Sequence, residues 1–407
     1  MSAFLFLAPN IDGWGETILG VRLAQDLAAA GHTSTFLAPA ECAPMFAGLP
    51  VAHEPFTRAT QHRFARLVDD LVRRLAPAAL VLCDVHCCAR FFHERAGVDP
   101  AFLDAYQVPA LAIDVYDQAR VGDAVDSFLS SRWVVPPGVA ERVRPLLPCP
   151  IVAPAARPGV YPNLPAPARL DPDTRARQRA RWGLADDDRV VLLCTAQWQQ
   201  SGFREPEGNT HVTAIPRLIE QHVAALGPRV HLVHVGPARL PLLSLVGERY
   251  RFLPHQTPAE FAETLGSADL LLSLNVMATT NVRAIVSDLP VLLVRNSHRL
   301  TRKAPLPPGV EPSAALARWL KGALPLYPFH VWPIGMWGYL SPTLADNAYV
   351  DAMQLVEVLD EPGFHAAASS LLEDPAARAR LVARQRAYVA QVRALPGAAE
   401  VVTRALG

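Results

Sequence analysis

The chain has 407 residues, 51% of them apolar, with 38 basic and 38 acidic side chains. That length exceeds one ordinary core and implies two α/β-sized domains, while zero net charge and the lack of a long basic run argue against a nucleic-acid partner. The N-terminal MSAFLFLAPN has no basic n-region and no small-residue cleavage site, so it reads as a first strand and not a signal peptide. The longest apolar candidate, ALPLYPFHVWPIGMWGYL, is broken by Pro, Gly and His, so no membrane span is expected. The six cysteines do not make a disulfide framework. Cys83, Cys149 and Cys194 sit in strand-like runs as buried thiols do, and a cytoplasmic protein is expected. The wealth of Ala, Arg and Pro matches a GC-rich bacterial genome.

Apolar runs of strand length alternate with helical patterns. The first half predicts strands at Phe4–Leu7, Thr33–Leu37, Ala79–Cys83, Ala110–Asp114 and Trp133–Val135. Helical stretches lie between them, such as Gln61–Leu75 with Phe64, Leu67, Leu71 and Leu75 on one face. This βα repetition predicts a parallel sheet covered on both sides. APAARPGVYPNLPAPARLDP, residues 153–172, holds too many prolines for a helix or central strand and reads as a linker. The second half predicts strands at Val190–Thr195, His231–Val235, Tyr250–Leu253, Leu270–Leu274 and Val291–Val294. In HQTPAEF, Thr257 is the expected N-cap, Pro258 the first helical residue and Glu260 the capping-box partner. The tail from Asp374 reads as a long amphipathic helix. Two doubly wound domains leave a cleft at the carboxyl ends of their strands, where open α/β sheets bind ligands.

The first strand runs into APNIDGWGETILGVRLAQ. Its glycines, Gly13, Gly15 and Gly20, miss the dinucleotide fingerprint, because Ile18 stands where the third glycine belongs. Asp12 and Glu16 also flank the turn, and a pyrophosphate there would meet two carboxylates. The NAD reading is therefore rejected. A helix N-terminus favours an ionised Asp12, whereas the like charge of Glu16 opposes it. Such a pair can orient or deprotonate a nucleophile, or it can simply cap the helix.

In ADLLLSLNVMATTNVRAIVSDLPVLLV, a strand ends at Asn275 and a helix opens near Thr279 or Thr280. A helix N-terminus at a strand's carboxyl end, with two hydroxyls and no acid, suits a phosphate. Arg283, one turn in, adds positive charge; the alternative is an ordinary helix with Arg283 in a surface ion pair. The acids thus fall in the first domain and the phosphate seat in the second.

At this point the sequence resembles the GT-B glycosyltransferases, which have two Rossmann-like domains facing across a cleft. The motif pattern is similar to the family that rhamnosylates an arginine of elongation factor P. Its first turn resembles D-N-Y-G-D-I-G-V-T-W-R-L-A, and residues 12–24 here match it without a gap. Asp12 and Glu16 fall on that family's two functional carboxylates. Thr280-Asn281-Val282-Arg283-Ala284 resembles its S-F-V-R-A donor segment, and Phe252-Leu253-Pro254-His255 echoes its F-x-P-Q. Gly13 replaces Asn, Glu16 replaces Asp, and Ala278-Thr279 replaces the acidic pair before the Ser. The ribose-gripping Glu of many GT-B enzymes is absent, with Arg283 in its place.

The resemblance implies an N-terminal acceptor domain over 1–160, a Pro-rich linker over 161–172 and a C-terminal donor domain over 173–385. A final segment, 386–407, is expected to be free to pack back on the first domain. It implies an inverting, metal-independent glycosyltransferase using a nucleotide-sugar co-substrate and no cofactor, with Asp12 as base and Glu16 supporting it. The expected donor residues are Gln197, Trp198, Gln199, Ser201, Leu253, Pro254, His255, Asn275, Thr279, Thr280, Asn281 and Arg283. Gly13, Trp14, Gly15, Asp84 and His86 are expected on the acceptor side, the acceptor being a small molecule or a protein. The cluster VLCDVHCCARFFH lacks a second Cys/His pair with finger-like spacing, so no metal site is expected. Two alternatives remain: a nucleotide-sugar epimerase or hydrolase of the same fold, and a non-catalytic binding protein.

Overall fold

The computed structural model describes residues 1–10, 14–115, 117, 125–127, 131–133, 142–200, 206–240, 247–254, 256–307, 309–326 and 343–407. The residues Asp12, Gly13, Ser201 and His255, the end of the expected strand Trp133–Val135, and most of the aromatic stretch after Leu326 lie outside the described residues.

The N-terminal domain is built on a seven-stranded sheet in the order β3-β2-β1-β4-β5-β8-β9. Its strands are β1 Ala3–Leu7, β2 Thr33–Pro39, β3 Ala52–Phe56, β4 Ala79–Leu82, β5 Ala110–Ile113, β8 Val143–Cys149 and β9 Val160–Pro162. All their pairings are parallel. A separate antiparallel pair, β6 Val125–Ser127 and β7 Ser131–Trp133, takes the place of the fifth expected strand. The central strands are continuous apolar runs because helices cover both faces. Phe6 pairs in register with Phe36, and their rings stack 4.5 Å apart.

The Gly15–Ala29 helix crosses this sheet where Gly20 meets Cys83. A Cβ on Gly20 would sit 2.4 Å from Cys83 Sγ. The close helix–strand approach that a third fingerprint glycine would give is therefore supplied two residues later, while Ile18 lies half-buried against the core.

The second domain has a six-stranded parallel sheet in the order β12-β11-β10-β13-β14-β15. The strands are β10 Arg189–Cys194, β11 Val230–Val235, β12 Tyr250–Leu253, β13 Leu270–Ser273, β14 Val291–Arg295 and β15 Gln354–Glu357. The capping box forms as spelled: Glu260 N donates to Thr257 Oγ1 at 3.3 Å, and Thr257 N donates to Glu260 Oε2 at 2.8 Å. Asp269, nearly buried at the head of β13, is held by Arg175 at 2.6 Å and Arg179 at 3.0 Å, which ties the Pro172–Arg181 helix to this domain.

The Pro-rich stretch is more than a linker, because β9 adds an edge strand to the first sheet there. Pro162 ends that strand, where a missing N–H costs no ladder bond. The Pro375–Arg393 helix packs on the Thr279–Val286 helix of the second domain. The Ala398–Leu406 helix then returns to the first domain against the Gly15–Ala29 helix, β8 and β9. One contiguous apolar cluster runs through both domains, from Leu19, Leu23 and Tyr161 to Val282, Tyr349 and Tyr388. Among the described residues no helix is long and apolar enough to cross a membrane.

Candidate active site at two facing switch points

In the first sheet the strand order reverses between β1 and β4, and ligands of open α/β sheets bind in the crevice such a reversal leaves. Asn10 and Glu16 follow β1 there; Asp84 and Cys87 follow β4. Asn10 Nδ2 donates to Glu16 Oε2 at 2.8 Å and approaches Cys87 Sγ at 3.9 Å. Asp84 caps the Val85–Phe91 helix, its Oδ1 accepting from the backbone N–H of His86 at 2.8 Å and of Cys87 at 3.0 Å. Its φ of 71° and ψ of 114° lie in a sparsely populated region for a non-glycine residue. The strained backbone places the carboxyl between the helix N-terminus and Glu16.

Asp84 is 2% exposed, and burial, then Glu16, then Asp114 push its carboxyl up to about 8 despite the two N–H donors. At neutral pH it therefore keeps its proton beside Glu16. His86 is buried too, and desolvation pushes its imidazole down to about 3, so the neutral ring stays neutral near pH 7. Cys87 is pushed well above the usual thiol range by burial and then by Asp84 and Glu16. The ligand atoms of Glu16, Asp84 and Cys87 all lie within 4.8 Å of one another, a set that could reach one cation. The neighbouring Cys88 thiol turns inward to Leu7 O at 3.4 Å.

Of the other acceptor-side candidates, Trp14 caps the Gly15–Ala29 helix with its ring half-buried against the core. Gly15 has open space where a Cβ would stand.

The second sheet reverses between β10 and β13. After β13, Ser273 Oγ donates to Asn275 O at 3.1 Å, and Asn275 Oδ1 accepts from Met277 N at 3.0 Å. Asn281 is fully buried, and its Nδ2 donates to Asn275 O at 2.9 Å and Val276 O at 3.2 Å. The sequence reading aims Asn275 and Asn281 at a donor. In the fold their amides are engaged in shaping the turn. The helix begins at Thr279 behind Ala278, which offers no capping side chain. The first-turn N–H groups of Thr279 and Thr280 are thus available to an outside acceptor. Arg283 lies over the Phe261 ring at 5.2 Å, and burial, partly offset by Cys194 at the end of β10, lowers its pKa. This ring contact stands in place of the alternative surface ion pair.

After β10, Gln197 is exposed and Gln199 Oε1 accepts from Ala196 N at 2.7 Å. Leu253 offers its carbonyl to Gly236 N at 3.2 Å, and Pro254 is exposed. The sequence reading missed a polar chain beneath this edge. Gln200 Nε2 donates to Thr195 Oγ1 at 2.8 Å, Thr195 Oγ1 meets His234 Nε2 at 2.8 Å, and His234 Nδ1 meets Tyr250 Oη at 2.9 Å. Burial pushes His234 down to about 4, so it acts as a neutral relay in this chain. No local signal could have found it, because its partners come from the segment after β10 and from β12.

The two-sheet architecture with a cleft at both switch points is a GT-B-like fold, and its structural neighbours are GT-B glycosyltransferases. Sucrose-phosphate synthase (tll1590) from Thermosynechococcus elongatus superposes with a TM-score of 0.57 at 12% identity, over 99% of this chain and 97% of that one. The spinosyn forosaminyltransferase SpnP matches with a TM-score of 0.53 at 12% identity, over 99% and 98%. The spinosyn rhamnosyltransferase SpnG complexed with thymidine diphosphate matches with a TM-score of 0.50 at 16% identity, over 99% of each chain. None of the curated proteins matches the chain. By sequence the chain belongs to a family of unknown function, DUF6365, whose model matches residues 23–407.

Proposed function

We propose that this protein is a glycosyltransferase that moves a sugar from a nucleotide-sugar donor to a hydroxyl or nitrogen acceptor. The observation that carries the reading is the division of charge between the switch points. Glu16 and Asp84 stand at the first, and an acid-free helix start with Arg283 stands at the second. The neighbouring glycosyltransferase SpnG, complexed with thymidine diphosphate, shows a fold of this kind in company with a nucleoside diphosphate.

In this reading Asp12 takes the proton of the acceptor O–H or N–H as the acceptor attacks the anomeric carbon. Glu16, anchored by Asn10, positions the acceptor. Asp84, protonated at neutral pH, donates a hydrogen bond to Glu16 or to the acceptor. The bond from the anomeric carbon to the diphosphate breaks, and the departing charge falls to the Thr279 and Thr280 N–H groups and Arg283. The donor turn, residues 274–287, contains no carboxylate to form a covalent intermediate, which supports a single displacement with inversion.

The test is a thermal-shift screen against nucleoside diphosphates and their sugars, followed by transfer assays with Asp12→Asn. Saturating donor is expected to add roughly 2–4 kcal/mol by linkage. The variant should retain that shift and lose turnover. Donor consumption without acceptor would favour the epimerase or hydrolase alternative. The absence of any nucleotide-dependent shift would refute the reading.

A further inference from the structure

The parallel pairing of β1 with β4 sets two helix starts side by side. Glu16 stands in the first turn of the Gly15–Ala29 helix, and Asp84 and Cys87 open the Val85–Phe91 helix. One carboxylate oxygen of each acid and the Cys87 sulfur lie within 4.8 Å of one another. Each carboxylate is held by a single oxygen. Glu16 Oε2 accepts from Asn10 Nδ2 at 2.8 Å, and Asp84 Oδ1 takes the His86 and Cys87 N–H groups at 2.8 and 3.0 Å. Among the described residues, Glu16 Oε1 and Asp84 Oδ2 make no hydrogen bond. Asp84 is 2% exposed, so its second oxygen is an unmet acceptor in the interior. Asn10 Nδ2 also lies 3.9 Å from Cys87 Sγ, so one amide reaches two of the three groups.

An unmet buried acceptor is costly, and two acids beside a thiol repel one another once ionised. A proton relieves one group at a time, whereas a cation relieves all three together. The donor set selects the cation. Magnesium and calcium take oxygen donors, while a cysteine sulfur favours a softer ion. A tetrahedral zinc ion holds its donors about 2.0–2.3 Å away, and hence roughly 3.3–3.8 Å from one another. Small side-chain rotations close the difference from 4.8 Å, and the half-buried Glu16 has room for one. Asn10 and the two backbone N–H groups then fix the carboxylates from behind, as outer partners of metal ligands do. Three protein donors leave a fourth position for water.

We propose that Glu16, Asp84 and Cys87 bind one soft divalent cation of the zinc class, and that this ion shuts the acceptor site. The Cys87 sulfur and one oxygen of each carboxylate donate electron pairs to the ion, and any proton they carry leaves to solvent. Metal-bound Glu16 no longer positions an acceptor, and Asp84 gives up the proton of its hydrogen bond. The shut-off rests on the glycosyltransferase reading; the metal site does not. Spacing within VLCDVHCCARFFH could not disclose this set, because its third donor comes from the helix after β1, which lies beside β4 only in the fold.

The experiment is titration of the full chain with Cd²⁺, followed by the ultraviolet thiolate-to-metal charge-transfer band, for wild type, Cys87→Ser, Glu16→Gln and Asn10→Ala. Wild type gives a band that saturates at a single equivalent, is displaced by Zn²⁺ and is indifferent to Ca²⁺ and Mg²⁺. Cys87→Ser loses the band, with the remaining cysteines as the internal control. Asn10→Ala keeps it but needs roughly 10- to 100-fold more Cd²⁺, the usual weight of an outer partner. Glu16→Gln weakens binding at least as much. If Cys87→Ser does not fold, Glu16→Gln and Asn10→Ala decide the matter. No band in excess Cd²⁺ overturns the proposal, as does a band retained in Cys87→Ser or wild-type affinity in Glu16→Gln. In transfer assays, Zn²⁺ that fills the site stops turnover and a chelator restores it. Unchanged or faster transfer with the site filled overturns the shut-off. Metal binding by a protein that transfers from no nucleotide sugar keeps the site and refutes the glycosyltransferase reading. Sugar transfer without metal binding does the reverse.

Discussion

Asp84→Asn tests the electrostatics of the first switch point. An unfolded aspartate titrates near 3.8, while folded Asp84 does so at about 8. Below the unfolded value both states hold the proton, and Asp84 has no effect on stability. Between the two values the unfolded chain releases a proton that the folded chain retains, so stability falls as pH rises. Each pH unit in that window costs about 1.4 kcal/mol, or roughly 4 kcal/mol from pH 5 to pH 8. Asparagine carries no charge, still accepts the two N–H bonds of the helix start, and tolerates positive φ better than most residues. Chemical denaturation of wild type and Asp84→Asn across pH 5–9 should therefore show the smallest difference near pH 5, where the ionisation penalty of the wild type is only about 1.6 kcal/mol. The variant's advantage should grow by about 4 kcal/mol toward pH 8. Glu16→Gln should lower the pH at which the wild-type decline ends without abolishing the decline, because burial outranks Glu16 as a cause. Parallel stability curves for wild type and Asp84→Asn would show that Asp84 is ionised in the folded protein and would refute the argument.

Other substitutions probe the scaffold. Gly20→Ala forces a methyl to 2.4 Å from Cys83 Sγ and should cost about 1–3 kcal/mol, with Cys83→Ala in the same chain restoring most of it; equal melting temperatures would refute the close approach. Thr257→Ala removes a complete capping box and should cost about 1 kcal/mol in denaturant melts. Asp269→Ala leaves Arg175 and Arg179 without their shared carboxylate and should cost about 3–5 kcal/mol, read as an early transition of the second domain. Asn281→Ala should unfasten the turn after β13 and weaken pyrophosphate binding without touching the ligand; unchanged affinity would show that the turn holds its shape alone.

Most strands legible in the sequence are flanked on both sides within a sheet. β1, β2, β4, β5, β10, β11, β13 and β14 are buried on both faces, so they spell unbroken apolar runs. Those missed sit at or next to an edge, where that demand lapses. β3 reads Ala-His-Glu-Pro-Phe and β15 Gln-Leu-Val-Glu, and each borders only one neighbour. β9 lies in the proline-rich stretch that read as a linker, and β8 carries Pro145 and Pro148. β9 pairs only with β8, and that edge position lets Pro162 stand in a strand. β12 is the exception among edges, read correctly because Tyr250 and Phe252 keep its alternation visible.

The site divides along a similar line. Glu16, Asp84 and Thr279 could be named as candidates from the sequence because each stands where a strand gives way to a helix, with Arg283 one turn on, and the polarity of a helix start constrains what sits there. Arg22 was invisible for the opposite reason. It lies inside a helix, where an arginine is by default a solvated residue. It is 7% exposed where the chain returns through Asn163, whose carbonyl accepts from its Nη1. The same holds for Asn10 and Cys87, whose meaning comes from β1 and β4 lying side by side although more than seventy residues separate them in sequence. Local polarity thus marks where charge is placed, and topology decides which charges meet. A functional hypothesis drawn from turns alone omits the partner that a neighbouring strand or the opposite domain supplies.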